Sequence, residues 1–272
     1  MLDVKWLYEF ILVIYGLSLL GYFIDFIQHN QKANKLAFWL LGVVWIVQSI
    51  LLCIWIYTEK SFPIQSVNDS LFFYSWILVT FSLLMNRLIT IHFITFFTNL
   101  FSFFILIFFI MTRAQNNMQY SGAQLVDEIL IAHIILTIIS YGFFTLSFLF
   151  SLMYLIQYRL LKEKKGLKWM WRFADLHQLN SFSFRAVTIG VPILLIGIIL
   201  GFIWAYVSNE EFYFLDMKTI GSIFVLFVYT ISLILQVLKG YQGKTVSIYN
   251  SAAFLLLLIN FFLFSVLSNF HF

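Results

Sequence analysis

His133 and His271 are the side chains of this sequence best placed to do chemistry. Once the apolar segments are counted and oriented, both fall near the outer face of a membrane. Two imidazoles at one membrane depth are what a haem iron needs for its two axial bonds. Neither has a second histidine on its own span at the spacing of a helix-local zinc site. Neutral imidazoles in apolar, aromatic surroundings also suit haem better than a hard cation. Taken singly, His133 reads as an interfacial hydrogen-bonding residue and His271 as a residue of the chain end. Their shared depth is what joins them. His29 and His92 lie toward the inner face and offer a second, inner pair, although a solvated loop position for His29 and packing for His92 account for them as well. His177 belongs to a basic inner loop, too far away to join the outer pair.

The elements that must position these residues are membrane helices. Of 272 residues, 62% are hydrophobic and only 10% charged, too little polar surface for a soluble globule. Apolar runs long enough to cross a ~30 Å hydrocarbon core occur at 6–27, 36–57, 70–85, 89–111, 130–158, 185–207, 219–238 and 246–268. The expected fold is all-α, a polytopic membrane protein with eight transmembrane helices forming one domain over 1–272. Lysine and arginine accumulate on the cytoplasmic side of a membrane. Here the loops opposite the termini carry Lys32, Lys35, Arg87, Arg159, Lys162, Lys164, Lys165, Lys168, Arg172, Arg185, Lys239 and Lys244, against Lys5, Lys60, Arg113 and Lys218 on the terminal side. Both termini are therefore expected outside. Asp69, Asp127, Glu128, Glu210, Glu211 and Asp216 sort to the outer loops, so the net charge of +4 speaks of topology and not of nucleic acid. The first segment lacks a charged leader region and reads as a retained span. Cys53 is alone, which excludes an internal disulfide, a thiol redox pair and a cysteine-rich metal site; no C-x-x-C-H, phosphate loop, H-E-x-x-H or nucleophile elbow occurs.

Within this scaffold the segment 159–184 stands out. Lys164, Lys168 and Arg172 repeat every fourth residue on one helical side, and Leu167, Met170, Trp171 and Ala174 gather on another. Such a pattern fits a helix lying in the cytoplasmic headgroup layer, and also an ordinary positive-inside loop. A docking role would expose Asp175 and His177. Gly197, Gly201 and Ala205 let the sixth span approach a neighbour closely. Thr137, Ser140, Phe144, Ser147 and Ser151 share a side of the fifth span with His133. Gln48, Asn99 and Asn260 sit near mid-membrane as interhelical hydrogen-bonding groups.

Several stretches, in order, resemble the cytochrome c assembly family of membrane haem-handling proteins (CcsA and CcmC are its best-known members), and most closely its HemX-like branch. Ser61-Phe62-Pro63, Asn68-Asp69-Ser70-Leu71 and Tyr74-Ser75-Trp76 resemble the family's H-F-P, Y-E-S-L and L-S-W run. His133 with Ser140-Tyr141 resembles its first external haem histidine, and His271 its second. Ile189-Gly190-Val191-Pro192, Ile196-Gly197, Gly201 and Trp204-Ala205 resemble its G-F-P-L-L-T-I-G-x-x-x-G-A-x-W-A segment. The chain departs from the family where the synthases carry a tryptophan-rich loop, since Asn209 to Lys218 keeps only the Asp, the Lys and some aromatic character. The synthases' two membrane histidines would fall near Ser82 and Ile231.

The resemblance implies a haem b protein of the cytoplasmic membrane with no catalysis of its own. His133 and His271 would ligate the iron. Phe212, Tyr213, Phe214 and Asp216 would form a lid whose rings stack on the porphyrin, with Lys218 meeting a propionate. For HemX-like relatives it implies a tie to haem biosynthesis through the abundance of glutamyl-tRNA reductase, with 159–184 contacting that enzyme or a protease that removes it. Two alternatives stand beside this: a cytochrome c maturation factor handling haem on the outer face, and a small-solute transporter, for which intramembrane charge is sparse.

Overall fold

A helix survives in a bilayer because it satisfies its own backbone, and this chain spends nearly all its described length that way. The computed structural model describes residues 4–28, 30–59, 67–88, 92–115, 128–164, 175–207 and 217–264. The helices are α1 Val4–Gln28, α2 Gln31–Glu59, α3 Val67–Leu88, α4 His92–Gln115, α5 Glu128–Lys162, α6 Leu176–Val207, α7 Met217–Lys239 and α8 Lys244–Ile259, the last continued by a π-helical turn, Asn260–Phe264. Among the described residues eight helices are long and apolar enough to cross a membrane, one for each span expected from sequence. The third span is longer than the 70–85 expected, since α3 runs from Val67 to Leu88. The sixth begins earlier than expected: Leu176 to Phe184, assigned from sequence to the inner segment, are the first turns of α6. Nothing between Leu176 and Arg185 breaks a helix, so the polar residues there extend it. Arg159 to Lys162 likewise finish α5, and residues 165–174 lie outside the described residues.

The chain divides into two compact units, Met1–Val126 and Asp127–Phe272. In the first, each helix packs on two neighbours, α1 on α2 and α4, and α3 on α2 and α4. Asn30 caps α2 by accepting the amides of Lys32 and Ala33 at 3.0 and 3.3 Å. Tyr8, Ile11, Tyr15, Ser18, Tyr22 and Asp25 are buried on α1, and Ala37, Leu41, Val44, Gln48, Leu51 and Trp55 on α2. This alternation of three and four is the seam of helices packed knobs into holes. Polar groups inside the unit pair with one another. Tyr15 donates to Asn99 Oδ1 at 3.2 Å, Asn99 Nδ2 donates to Ser82 at 2.7 Å, and Ser75 and Ser102 share a bond of 3.0 Å. The Asn34 amide donates to the buried Asp25 carboxylate at 2.7 Å. Gln48 differs: it is fully buried, and neither its amide nitrogen nor its oxygen has a hydrogen-bond partner among the described residues.

The second unit is built on α5 and α6, which run against each other over most of their length, with α8 on α5 and α7 touching both α6 and α8. Small residues on α6 receive larger ones from α5. A carbon added to Gly190 would stand 2.8 Å from the Phe144 ring, and one added to Gly197 2.8 Å from the Thr137 hydroxyl. The same register brings Ser147 and Ser151 to Ser183, each at 2.9 Å. Asn250 of α8 joins them, donating to Ser183 at 3.0 Å and accepting from Ser232 of α7 at 2.8 Å. This ties all four helices through one buried polar cluster. Phe144 stacks on Tyr229 with centroids 3.9 Å apart, and Phe148 on Phe254 at 4.4 Å. The α7–α8 turn uses glycine where backbone angles demand it, with φ of 63° at Gly240 and 75° at Gly243.

Candidate functional site

Near its start α5 presents His133, and near its end α6 presents Gly197 and Gly201. The antiparallel register of the two helices brings the three together. A carbon added to Gly201 would meet both Cε1 and Nδ1 of His133 at 2.8 Å, so the ring lies directly on the α6 backbone. Its Nδ1 is 2.6 Å from the carbonyl oxygen of Gly197. A carbonyl only accepts, so Nδ1 carries the proton and donates it. Nε2 is then the nitrogen with a lone pair to offer. Thr137, one turn on, donates its hydroxyl to the His133 carbonyl at 2.8 Å and fills the notch at Gly197.

His133 lines a cavity of about 80 Å³, together with Leu130, Thr137 and Tyr141 of α5, Ile198, Gly201, Phe202 and Trp204 of α6, and Lys218, Thr219 and Ser222 of α7. The lining mixes an imidazole, an ammonium and several hydroxyls with apolar and aromatic walls. Behind it lies a buried amide. Asn260, first residue of the π-helical turn, donates to Ser222 at 3.2 Å and lies 3.4 Å from the Tyr141 hydroxyl. Its own Oδ1 is buried without a partner among the described residues. π-Helical turns occur mostly as insertions in α-helices, often beside functional sites, and this one aims Asn260 at two residues of the cavity wall.

Of the residues singled out from sequence, His133 and Lys218 are brought to the same cavity. His271, Phe212, Tyr213, Phe214 and Asp216 lie outside the described residues, as does His29. His92 opens α4, in the other unit. His177 is exposed near the start of α6, on the order of 36 Å from Gly201 along the axis at 1.5 Å per residue. Sequence reasoning did not place Leu130, Thr219, Ser222 or Asn260 at the site. The one available signal was Ser222 standing four residues after Lys218, on the same face of a helix. Near where the resemblance would set the synthases' membrane histidines, Ser82 is buried and bonded to Asn99, and Ile231 is 38% exposed on α7.

Residues 64–271 match the family model described as cytochrome C assembly protein. The chain is 48% identical to Protein HemX of Bacillus subtilis, over 96% of this chain and 94% of that one. It is 37% identical to Protein HemX of Brevibacillus brevis over 100% and 99% of the two chains. To the cytochrome c biogenesis protein CcsA of Mesostigma viride it is 27% identical, over 75% of each chain. No solved structure matches it. Because the family match spans most of the sequence, His133 and the glycine-notched helix beneath it included, this chain belongs to the cytochrome c assembly protein family.

Proposed function

We propose that this chain is a haem-binding protein of the cytoplasmic membrane, with both termini outside, that regulates haem biosynthesis and catalyses no reaction itself. The observation that carries the reading is His133. It is an imidazole held by the Gly197 carbonyl at 2.6 Å, beside Lys218 in a cavity with aromatic walls. These residues fit haem b at its ligating end, because they supply a nitrogen lone pair, an apolar surround and a cation for a propionate. A cavity of about 80 Å³ is smaller than the ~300–1,000 Å³ that encloses a whole ligand. It would hold part of the haem, and Phe212, Tyr213, Phe214 and Asp216, with His271 as second iron ligand, would complete the site. Bound there, haem supplies an iron whose ligation reports how much haem is at hand.

The likeness to the two HemX proteins supports the rest of the reading. By that resemblance the chain controls the abundance of glutamyl-tRNA reductase, through contact of 159–184 with the enzyme or with a protease that removes it. α5 has 35 residues, about 50 Å at 1.5 Å each, with His133 at one end and Arg159 and Lys162 at the other. It is the element suited to relay occupancy across the bilayer.

The purified protein is expected to show a low-spin haem spectrum that weakens in His133→Ala and in His271→Ala. An unchanged spectrum in both variants would remove them from the site. Deleting the gene is expected to alter the amount of glutamyl-tRNA reductase while mature cytochrome c stays constant. The reverse result favours the second reading, a cytochrome c maturation factor, which the likeness to CcsA supports. Against that reading stands the resemblance itself, which would set the synthases' membrane histidines near Ser82 and Ile231.

A further inference from the structure

Three glycines of α6 meet side chains of α5 at the same closeness. A carbon added to Gly190, Gly197 or Gly201 would stand 2.8 Å from Phe144, Thr137 or His133 respectively. What each notch holds is different. Phe144 is fully buried core, and the Thr137 hydroxyl is bonded to the backbone of its own helix. Gly201 alone holds a group with metal-binding capacity, and holds it by the two ring atoms Nδ1 and Cε1.

We infer that Gly201 is a positioning residue for a metal ligand: its missing side chain seats the His133 ring on α6, where the Gly197 carbonyl takes the Nδ1 proton and reserves Nε2 for iron. The identity of the metal rests on the haem reading, whereas the seat and the tautomer rest on the geometry alone. The chemistry follows from how histidine ligates. A ring that donates one N–H to a carbonyl has its tautomer and its plane fixed, and its other nitrogen becomes more basic. A methyl group at residue 201 needs the space that Nδ1 and Cε1 occupy. The ring must then lift away, the 2.6 Å bond is lost, and either nitrogen can carry the proton. The Gly197 notch reinforces the seat. Thr137 packs there while bonding the His133 carbonyl at 2.8 Å, so both the backbone and the ring of the ligand are referred to the same stretch of α6.

The test uses the full chain in detergent, with two readouts. In protein labelled with ¹⁵N-histidine, the resonances that vanish in His133→Gln belong to His133. They should report the Nδ1–H form in the haem-free wild type and a mixture of forms in Gly201→Ala. On titration with haem, Gly201→Ala should bind about 10–100-fold more weakly than wild type, as loss of a ligand's supporting partner does elsewhere. The haem that remains should shift toward high spin, and added imidazole should restore low spin. Gly190→Ala is the comparison of equal crowding. It should lower the melting temperature yet keep the wild-type tautomer, haem affinity and spin state.

An Nε2–H form in the wild type overturns the inference even if Gly201→Ala fails to fold. So does a Gly201→Ala protein with wild-type tautomer and affinity. If the wild type shows the Nδ1–H form, Gly201→Ala shows a mixture of forms and neither binds haem, the seat and the tautomer stand and the haem function is the reading that fails.

Discussion

At the scale of single residues the molecule turns on how a few polar side chains are satisfied in an apolar interior. His133 is satisfied on one nitrogen by a backbone carbonyl, which leaves a lone pair on the other. Gln48 presents the opposite case, fully buried with no partner for either polar atom among the described residues. A buried amide without a hydrogen bond costs on the order of 1–3 kcal/mol. Replacing Gln48 with Leu is therefore expected to stabilise the protein by about 1–2 kcal/mol, read as a higher melting temperature in detergent. A lower melting temperature would mean that Gln48 is satisfied in the native state and works there. The sequence marked Gln48, Asn99 and Asn260 alike as interhelical glue. Asn99 and Asn260 are bonded across helices, and Gln48 has no partner among the described residues. The distinction was illegible beforehand because the sequence marks all three simply as amides near mid-membrane. Which of them meets a hydroxyl depends on helix rotation.

Among elements, the α5–α6 pair decides the site. The sequence displayed both halves of it: glycines spaced four apart on one span, and Thr137, Ser140, Phe144, Ser147 and Ser151 on the His133 side of another. It did not display that one stripe fits into the other, because register between two antiparallel helices is set by contacts remote in sequence. Only with that register known does Gly201 become the seat of His133, Gly190 that of Phe144, and Ser183 the partner of Ser147 and Ser151. The polar cluster around Asn250 gives this scale its prediction. Asn250→Leu removes a donor to Ser183 and an acceptor for Ser232; Ser183 keeps Ser147 and Ser151, while the Ser232 hydroxyl loses its acceptor in a dry interior. A loss of about 1–2 kcal/mol is expected, seen as earlier unfolding in a denaturant titration. Absence of any loss would show that the cluster contributes nothing to holding the four helices together. Gly190→Ala should be destabilising by about 1–3 kcal/mol through overpacking against Phe144; a neutral result in the same titration would mean that the ring has room to move.

On the scale of the whole molecule, the asymmetry of charge predicts orientation. Cysteines introduced at Lys164 and at Glu211, in a chain whose exposed Cys53 has been changed to Ser, should label from opposite sides of an intact cell. Glu211→Cys is expected to react with an impermeant reagent from outside, and Lys164→Cys only after the membrane is opened. The converse pattern would invert the topology and place His133 on the cytoplasmic side. The sequence by itself determined the membrane class, the eight helices and the family, because each of these is written in local composition, segment length or ordered motifs that need no knowledge of packing. Through the family resemblance it also assigned His133 and Lys218 to one site. What only the tertiary structure decided is that these two share a cavity with Tyr141, Trp204 and Ser222, that α6 begins at Leu176, and that the histidine rests on glycine with its proton on a carbonyl. Those facts depend on the rotation and register of helices against one another, and a hydrophobic stripe in lipid fixes neither: on an apolar helix nearly every face looks alike, and close contact between particular side chains settles which one turns inward.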